Sequence, residues 1–149
     1  MTAEELWNEF CRENPDCAGE DYEAWAFGGD PDGLLALVLA GTKTATASAY
    51  NAYGPGEPLP QEGEYSVILD SRENAVCVIR TDGISLVPFS RVTAEHAWRE
   101  GEGDRSLAYW REVHRDFFTR ELAEAGLPFT TDMLVVCETF TLVYPGAKL

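Results

Sequence analysis

The sequence has 149 residues, of which 45% are hydrophobic and 11% aromatic, a composition typical of one globular domain. Its formal net charge of −15 disfavours tight nonspecific binding of nucleic acid, which depends on neutralising phosphates, so no DNA partner is expected. No apolar run approaches the ~18 residues of a membrane span, and the acidic N-terminal segment differs from a signal peptide. We therefore expect a single cytoplasmic domain over residues 1–149, without a membrane partner; its oligomeric state is left open.

The cysteines do not form a metal-binding pattern. Cys11, Cys17, Cys77 and Cys137 include no C-x-x-C pair, and the last two lie in apolar runs, where we expect buried, reduced thiols. A Cys11–Cys17 disulfide is disfavoured by the expected cytoplasmic location. The sequence predicts neither a metal nor another cofactor.

Helices open the chain. Thr2 and Glu5 form a capping box, and apolar residues at helical spacing predict a helix over residues 2–13 that ends at Asn14-Pro15. Asp30 as N-cap, followed by Pro31, predicts a second helix that ends at Gly41.

The remaining chain mixes strands with two further helices. After the first predicted strand, residues 50–63 form a proline- and glycine-rich loop, long enough to suggest a functional rim. The order of the elements predicts an α+β domain built on a mainly antiparallel sheet or barrel. The predicted strands are Thr44–Ala49, Tyr65–Asp70, Ala75–Thr81, Ile84–Phe89 and Met133–Tyr144, and the predicted helices are Thr93–Glu100 and Ser106–Ala125.

Lys43 is the most informative residue of the chain. The only other lysine is Lys148, whereas Lys43 follows an apolar helix and lies among the hydroxyls of Thr42, Thr44 and Thr46. Unlike arginine, a desolvated lysine can act as a base or nucleophile. The alternative interpretation is a solvated lysine that interacts favourably with the helix dipole.

Several separated motifs together resemble the ASCH superfamily, and in particular a bacterial subgroup formerly labelled as a domain of unknown function. The resemblance covers residues from about 25 to 144. It implies a PUA-like, mainly antiparallel β-barrel flanked by helices. The matching segments are Gly41–Thr46, Leu59–Tyr65, Val92–Ala97, Glu100–Asp104 and Trp110–His114.

The resemblance also implies a function. ASCH members have been proposed to bind RNA, some cut single-stranded RNA, and one small member removes the acetyl group from N4-acetylcytidine. Carried over from that enzyme, the catalytic residues are Lys43, Thr46 and Glu100. They imply amide hydrolysis of an acylated cytidine or related pyrimidine nucleoside.

Two chemical schemes are open for these residues. In one, a neutral Lys43 takes the proton of Thr46, which attacks the acyl carbon, and Glu100 protonates the departing nitrogen. In the other, a charged Lys43 stabilises the oxyanion while Glu100 activates water. Because a regular strand would point Lys43 and Thr46 to opposite faces, either scheme requires Lys43 to lie in the turn before the strand.

Substrate contacts are expected from residues around the same region. Loop aromatics could stack on a base. The expected substrate-binding residues are Thr44, Tyr50, Tyr53, Trp25 and Arg80.

Two other functions remain as alternatives. One is an RNA-binding module without catalysis, which would bind single-stranded RNA through Arg80, Arg91, Arg99 and Arg105. The other is a metal-assisted ribonuclease that uses Glu100, Glu102 and Asp104. A closed pocket lined by the three catalytic candidates favours the enzyme, and an open basic groove favours the binder.

Four further polar or aromatic residues have structural interpretations. Trp110 and His114 lie on an apolar helix stripe and are expected in the core, and His96 is expected to pack or cap. Glu138 lies in an apolar strand and, if buried, requires a partner such as Lys43 or an arginine.

Overall fold

The structure is a computed structural model that describes residues 1–145. It is α+β, as predicted, with a five-stranded sheet in the order β1-β3-β4-β5-β2. Three 3-10 turns, Pro15–Cys17, Tyr50–Ala52 and Phe89–Arg91, lie between the elements. The strands are β1 (Tyr22–Trp25), β2 (Ala45–Ala49), β3 (Tyr65–Leu69), β4 (Ala75–Pro88) and β5 (Leu134–Tyr144), and the helices are α1 (Ala3–Glu13), α2 (Pro31–Leu39), α3 (Ala94–Glu100) and α4 (Leu107–Glu124).

The sheet is open, so the expected closed β-barrel is wrong. β1 pairs in parallel with β3, and the other neighbouring strands are antiparallel. Within residues 1–145, β1 and β2 form the two edges and do not pair with each other. These edge strands have only four and five residues, whereas the central β4 and β5 have 14 and 11.

Two strand predictions need correction. The separately predicted strands Ala75–Thr81 and Ile84–Phe89 form the single strand β4, because a bulge at Asp82 lets pairing with β5 continue from Thr81 to Gly83. The short edge strand β1 was not predicted. It is formed by pairing with residues 65–68, far along the chain, and two of its four residues are exposed.

The predicted helix starts are confirmed. Thr2 and Glu5 complete the capping box of α1, and the Asp30 carboxylate accepts the Gly33 N–H at 3.1 Å. α2 ends in a Schellman motif, in which the Gly41 and Thr42 N–H groups donate to the carbonyls of Val38 and Leu37. Gly41 has φ +81°, a conformation that favours glycine.

Helices pack on the sheet through three apolar clusters: one with α1, one with α2 and one with α3 and α4. Cys77 and Cys137 are buried as predicted, and burial raises the pKa of each thiol to about 12. All four cysteines are free thiols. In the described part of the chain, no helix is both long and apolar enough to cross a membrane.

Candidate functional site

A cavity of about 1130 Å³ opens beside the sheet. Its walls come from the start of α2, from β2, from the loop after β2 and from one face of α4. Polar side chains of the central strands, including Ser66, Thr81 and Glu138, also line it. The expected rim loop contributes residues 52–53 and 57–60.

The turn after α2 positions Lys43. The Lys43 N–H donates to the Leu37 carbonyl, the Thr44 N–H donates to Arg99 at the end of α3, and Phe140 N–H on β5 donates to Thr44. β2 begins only at Ala45, so Lys43 precedes the strand and the regular alternation of faces does not apply to it. As a result Lys43 and Thr46 line the same cavity.

The Lys43 ammonium is almost fully enclosed, with 2% of the residue exposed. Nζ donates to the Ala45 carbonyl at 2.9 Å and to carboxylate oxygens of Glu100 and Glu102, each at 3.3 Å. It also lies 5.4 Å from the centre of the Phe27 ring, within the range of a cation–π contact. The ammonium is therefore a fixed positive charge among acceptors.

Glu100 is a buried carboxylate with donors on both oxygens. Oε2 lies 2.6 Å from Trp110 Nε1 and 2.6 Å from His96 Nε2, and Oε1 faces Lys43 and, at 3.5 Å, His114 Nε2. Burial alone would favour the neutral acid, but the hydrogen bonds from His114 and His96 and the charge of Lys43 hold the Glu100 pKa well below its usual value. Glu100 therefore remains ionised.

His114, on α4, lies against the Glu100 carboxylate. Its Nδ1 lies 2.9 Å from the Trp110 carbonyl, and its ring stacks on Trp110 with centroids 4.2 Å apart. Burial would lower the His114 pKa, but the hydrogen bond and charge of Glu100 raise it overall. The expectation that Trp110 and His114 are core residues is confirmed by their burial, and both also bind Glu100.

Gly101 allows two glutamates to flank one lysine. It has φ +76°, and a Cβ there would lie 2.7 Å from the Thr42 carbonyl oxygen. This close approach joins the end of α3 to the turn that carries Lys43. Glu102 follows and is partly exposed; burial raises its pKa above the usual value, against the opposing charge of Lys43.

Five of the eight sequence-predicted site residues line the cavity: Lys43, Thr46, Glu100, Trp25 and Tyr53. The other three do not. Thr44 donates to the Arg99 carbonyl at 3.5 Å, Tyr50 is 41% exposed outside the cavity, and Arg80 pairs with Asp82 at the surface. The functional roles of all eight remain predictions.

Sequence reasoning missed how the polar groups pair. His96 is buried, as the packing expectation required, and it also binds Glu100, a contact for which the i, i+4 spacing was the available signal. Glu138 is buried, but its partner is the Thr81 hydroxyl at 2.8 Å, not Lys43 or an arginine. The Thr81 contact joins β4 to β5 and could not be read from spacing.

One group of side chains has the donor set of a cation site. Oxygen and nitrogen atoms of Glu100, Glu102 and His114 lie within 4.8 Å of one another. The Lys43 ammonium contacts both carboxylates, so a metal ion would have to displace it. Asp104, the third member of the metal loop considered from the sequence, does not belong to this group, and its carboxylate accepts the Ser106 N–H at 2.9 Å.

Comparison with known proteins identifies the family. The sequence model of the ASCH domain matches residues 23–144. The chain belongs to the ASCH domain family. No curated protein matches it.

Solved structures agree with this assignment. The ASCH domain from Lactobacillus crispatus JV V101 is 33% identical, with a TM-score of 0.82, over 92% of this chain and 93% of that chain. Protein EF3133 from Enterococcus faecalis V583 is 34% identical, with a TM-score of 0.86, over 99% of this chain and 97% of that chain. The hypothetical protein PH0355 shares the fold, at 16% identity and a TM-score of 0.57 over 82% and 98% of the two chains.

Proposed function

We propose that this ASCH protein is a hydrolase of N4-acylated cytosine nucleosides, which cleaves the amide bond between the acyl group and N4. The observation that carries the proposal is the placement of Lys43, held by Glu100, and of Thr46 on one concave cavity. A buried ammonium and a hydroxyl on the same cavity supply a charge for an oxyanion and a nucleophile for an acyl carbon.

The shape and charge of the cavity favour this enzyme over an RNA-binding module. Arg80, Arg91, Arg99 and Arg105, the arginines considered for RNA, do not line it. Within residues 1–145 its basic lining residues are Lys43, Arg120 and His114. A polynucleotide would be repelled, whereas a nucleoside has no phosphate. The eight acidic lining residues are Glu23, Asp30, Glu57, Glu64, Glu100, Glu102, Glu121 and Glu138.

The contacts of Lys43 favour a role as a charged group. Nζ donates to a carbonyl and to two carboxyl groups, so it presents no free lone pair to take a proton from Thr46. In the proposed reaction, Thr46 attacks the acyl carbon, and the Lys43 charge stabilises the negative oxygen that forms. Glu102 is the more exposed of the two carboxyl partners, so a substrate oxygen can reach Nζ by replacing it.

Glu100 is assigned a positioning role in this scheme. Its oxygens already face Trp110, His96, His114 and Lys43, so it is poorly suited to activate water or donate a proton. It instead fixes the ammonium. Trp25 and Tyr53 supply aromatic surface on the cavity wall for the pyrimidine ring.

The test is turnover of N4-acetylcytidine by metal-stripped protein, with cytidine followed by chromatography. We expect cytidine from the wild type and at least about 10²-fold less from Lys43→Met, because the charge that stabilises the oxyanion is lost. Arg99→Met is the matched control, since Arg99 is exposed and pairs with Glu95 outside the cavity. Circular dichroism checks that each variant is folded.

Absence of cytidine with the wild type would overturn the proposal. Cleavage of single-stranded RNA that appears only after addition of Mn²⁺ would instead support the ribonuclease alternative, with His114 in place of the predicted Asp104 beside Glu100 and Glu102. Equal turnover by the wild type and Lys43→Met would remove Lys43 from the mechanism.

A further inference from the structure

Glu138 is a buried carboxyl group that the scheme above leaves unused. It lies in the middle of β5, is 6% exposed and lines the cavity. Its Oε2 accepts a hydrogen bond from the Thr81 hydroxyl at 2.8 Å. In the described part of the chain no lysine, arginine or histidine forms an ion pair with it, in contrast to Glu100 and Glu102.

The sheet register places Glu138 beside the proposed nucleophile. Thr46 of β2 lies directly opposite Glu138 of β5 in the antiparallel pair. Residues paired in this way point to the same face, with Cβ atoms about 4.5–5.5 Å apart. Both residues line the cavity, so the hydroxyl and the carboxyl are cross-strand neighbours on one wall, a spacing that one water can bridge.

The other ionisable groups around the Lys43 ammonium are already engaged. Lys43 donates to its acceptors, both oxygens of Glu100 face donors, and Glu102 binds Lys43. A general base needs an oxygen that can accept a new proton. Of these groups and Glu138, only Glu138 combines a position opposite Thr46 with freedom from a cationic partner in the described residues.

We infer that Glu138 is the general base that activates Thr46, an inference that rests on the proposed function. The Glu138 carboxylate takes the Thr46 hydroxyl proton as Oγ1 bonds to the acyl carbon. The C–N4 bond then breaks, and the proton passes from Glu138 to N4, releasing the cytosine nucleoside with its amino group. In the second half, Glu138 takes a proton from water as the hydroxide attacks the acyl–Thr46 ester. Thr46 leaves with that proton, and a carboxylic acid is released.

The surroundings of Glu138 suit this role. Burial raises the Glu138 pKa, the Thr81 hydrogen bond lowers it, and the charges of Glu64 and Glu23 raise it, with a net upward shift. A carboxylate with a raised pKa is a stronger base near neutral pH. The polar and titratable groups that face Glu138 are Thr46 from β2, Thr81 from β4, Tyr53 from the turn after β2, Glu64 before β3 and Glu23 from β1.

The experiment measures kcat and KM for N4-acetylcytidine against pH in the wild type and three variants. Glu138→Gln keeps the size and removes the base, so we expect kcat to fall about 10²–10⁴-fold with KM little changed. Thr81→Val removes the hydrogen bond that lowers the pKa, so the acid limb of the profile should move to higher pH. Glu64→Gln removes a charge that raises the pKa, so the same limb should move to lower pH.

The outcomes separate this inference from the proposed function. If the wild type releases no cytidine, the proposed function fails and this inference fails with it. If the wild type is active and Glu138→Gln keeps its kcat, or changes only KM, Glu138 is not the base although the hydrolase stands. Should Glu138→Gln fail to fold, the opposite shifts in Thr81→Val and Glu64→Gln decide: an unmoved acid limb in both overturns the inference.

Discussion

At the scale of single residues, the Lys43–Glu100 pair is costly to desolvate, but its hydrogen bonds hold both charges in fixed positions. Each residue is at most 2% exposed, and removing two charges from water is offset only when further hydrogen bonds satisfy them. Here Trp110 and His96 share one Glu100 oxygen while Lys43 and His114 face the other. The pair therefore holds the Lys43 charge in a fixed position for catalysis and is not expected to add net stability to the fold.

Glu100→Gln tests that view. The neutral amide cannot balance the Lys43 charge, and its NH₂ group, itself a donor, would face other donors. We therefore expect a loss of about 3–5 kcal/mol in the free energy of unfolding. Urea unfolding followed by fluorescence measures it. Glu95→Gln on the same helix is the control, because the Glu95–Arg99 pair is exposed and should contribute little. Equal stability of the two variants would show that the buried charge is not needed.

Sequence reasoning reached part of the site. Lys43, Thr46 and Glu100 were named through the family resemblance, and the structure places all three at one cavity. Glu102 was considered only as a metal ligand, and a cation was suggested as the partner of Glu138, which instead binds the Thr81 hydroxyl. Such pairings depend on which donor and acceptor atoms of separate helices and strands come together in the fold. The spacing of residues along the chain does not determine these contacts.

At the scale of elements, the junction between α3 and the Lys43 turn is set by Gly101. Its backbone is left-handed, and the Thr42 carbonyl lies against it. Gly101→Ala should therefore destabilise the fold by more than the ~1–2 kcal/mol of left-handed strain and should also reduce turnover, since Glu100 and Glu102 would shift. Denaturant unfolding and N4-acetylcytidine turnover measure the two effects.

Gly126→Ala is the matched control for that substitution. Gly126 has φ +73°, similar to Gly101, but no atom lies within 4 Å of its would-be Cβ. It follows α4 and does not line the cavity. The difference between the two variants isolates the steric contact with Thr42, and identical losses would contradict a role for that contact.

Local signals predicted elements well and their assembly less well. The caps at Thr2 and Asp30 and the stop at Gly41 act over three or four residues, so sequence reveals them. The continuity of β4 through Asp82 and the existence of β1 depend on pairing with β5 and β3. The open sheet results from the same long-range pairing, in which β1 and β2 remain at opposite edges. The family resemblance implied a barrel and did not indicate where the sheet stays open.

At the scale of the whole molecule, the buried acids make stability depend on pH. The pKa values of Glu102, Glu138 and His114 are raised in the fold, so their contributions are complete below the unfolded values and are lost as pH rises. The Glu100 pKa is lowered, so its contribution is lost as pH falls below the ordinary value of 4.5. The free energy of unfolding should therefore peak near pH 5 and decline toward about pH 8.

Urea unfolding across that range checks the direction. Glu138→Gln should flatten the decline, because it removes one group whose pKa is raised. Stability that rises steadily from mildly acidic to mildly basic solution would contradict this assignment of the shifts.

The same excess of negative charge bears on which substrates enter the cavity. Its eight acidic lining residues face one lysine, one arginine and one histidine, so a substrate phosphate would meet net repulsion. We expect kcat/KM for N4-acetylcytidine to exceed that for its 5′-monophosphate by roughly tenfold at low salt, and the ratio to shrink as salt shortens the ~10 Å screening length. Arg120→Gln should widen the ratio and the neighbouring Glu121→Gln should narrow it, since both line the cavity with opposite charges. Equal kcat/KM values for the nucleoside and the monophosphate at low salt would show that charge does not select the substrate.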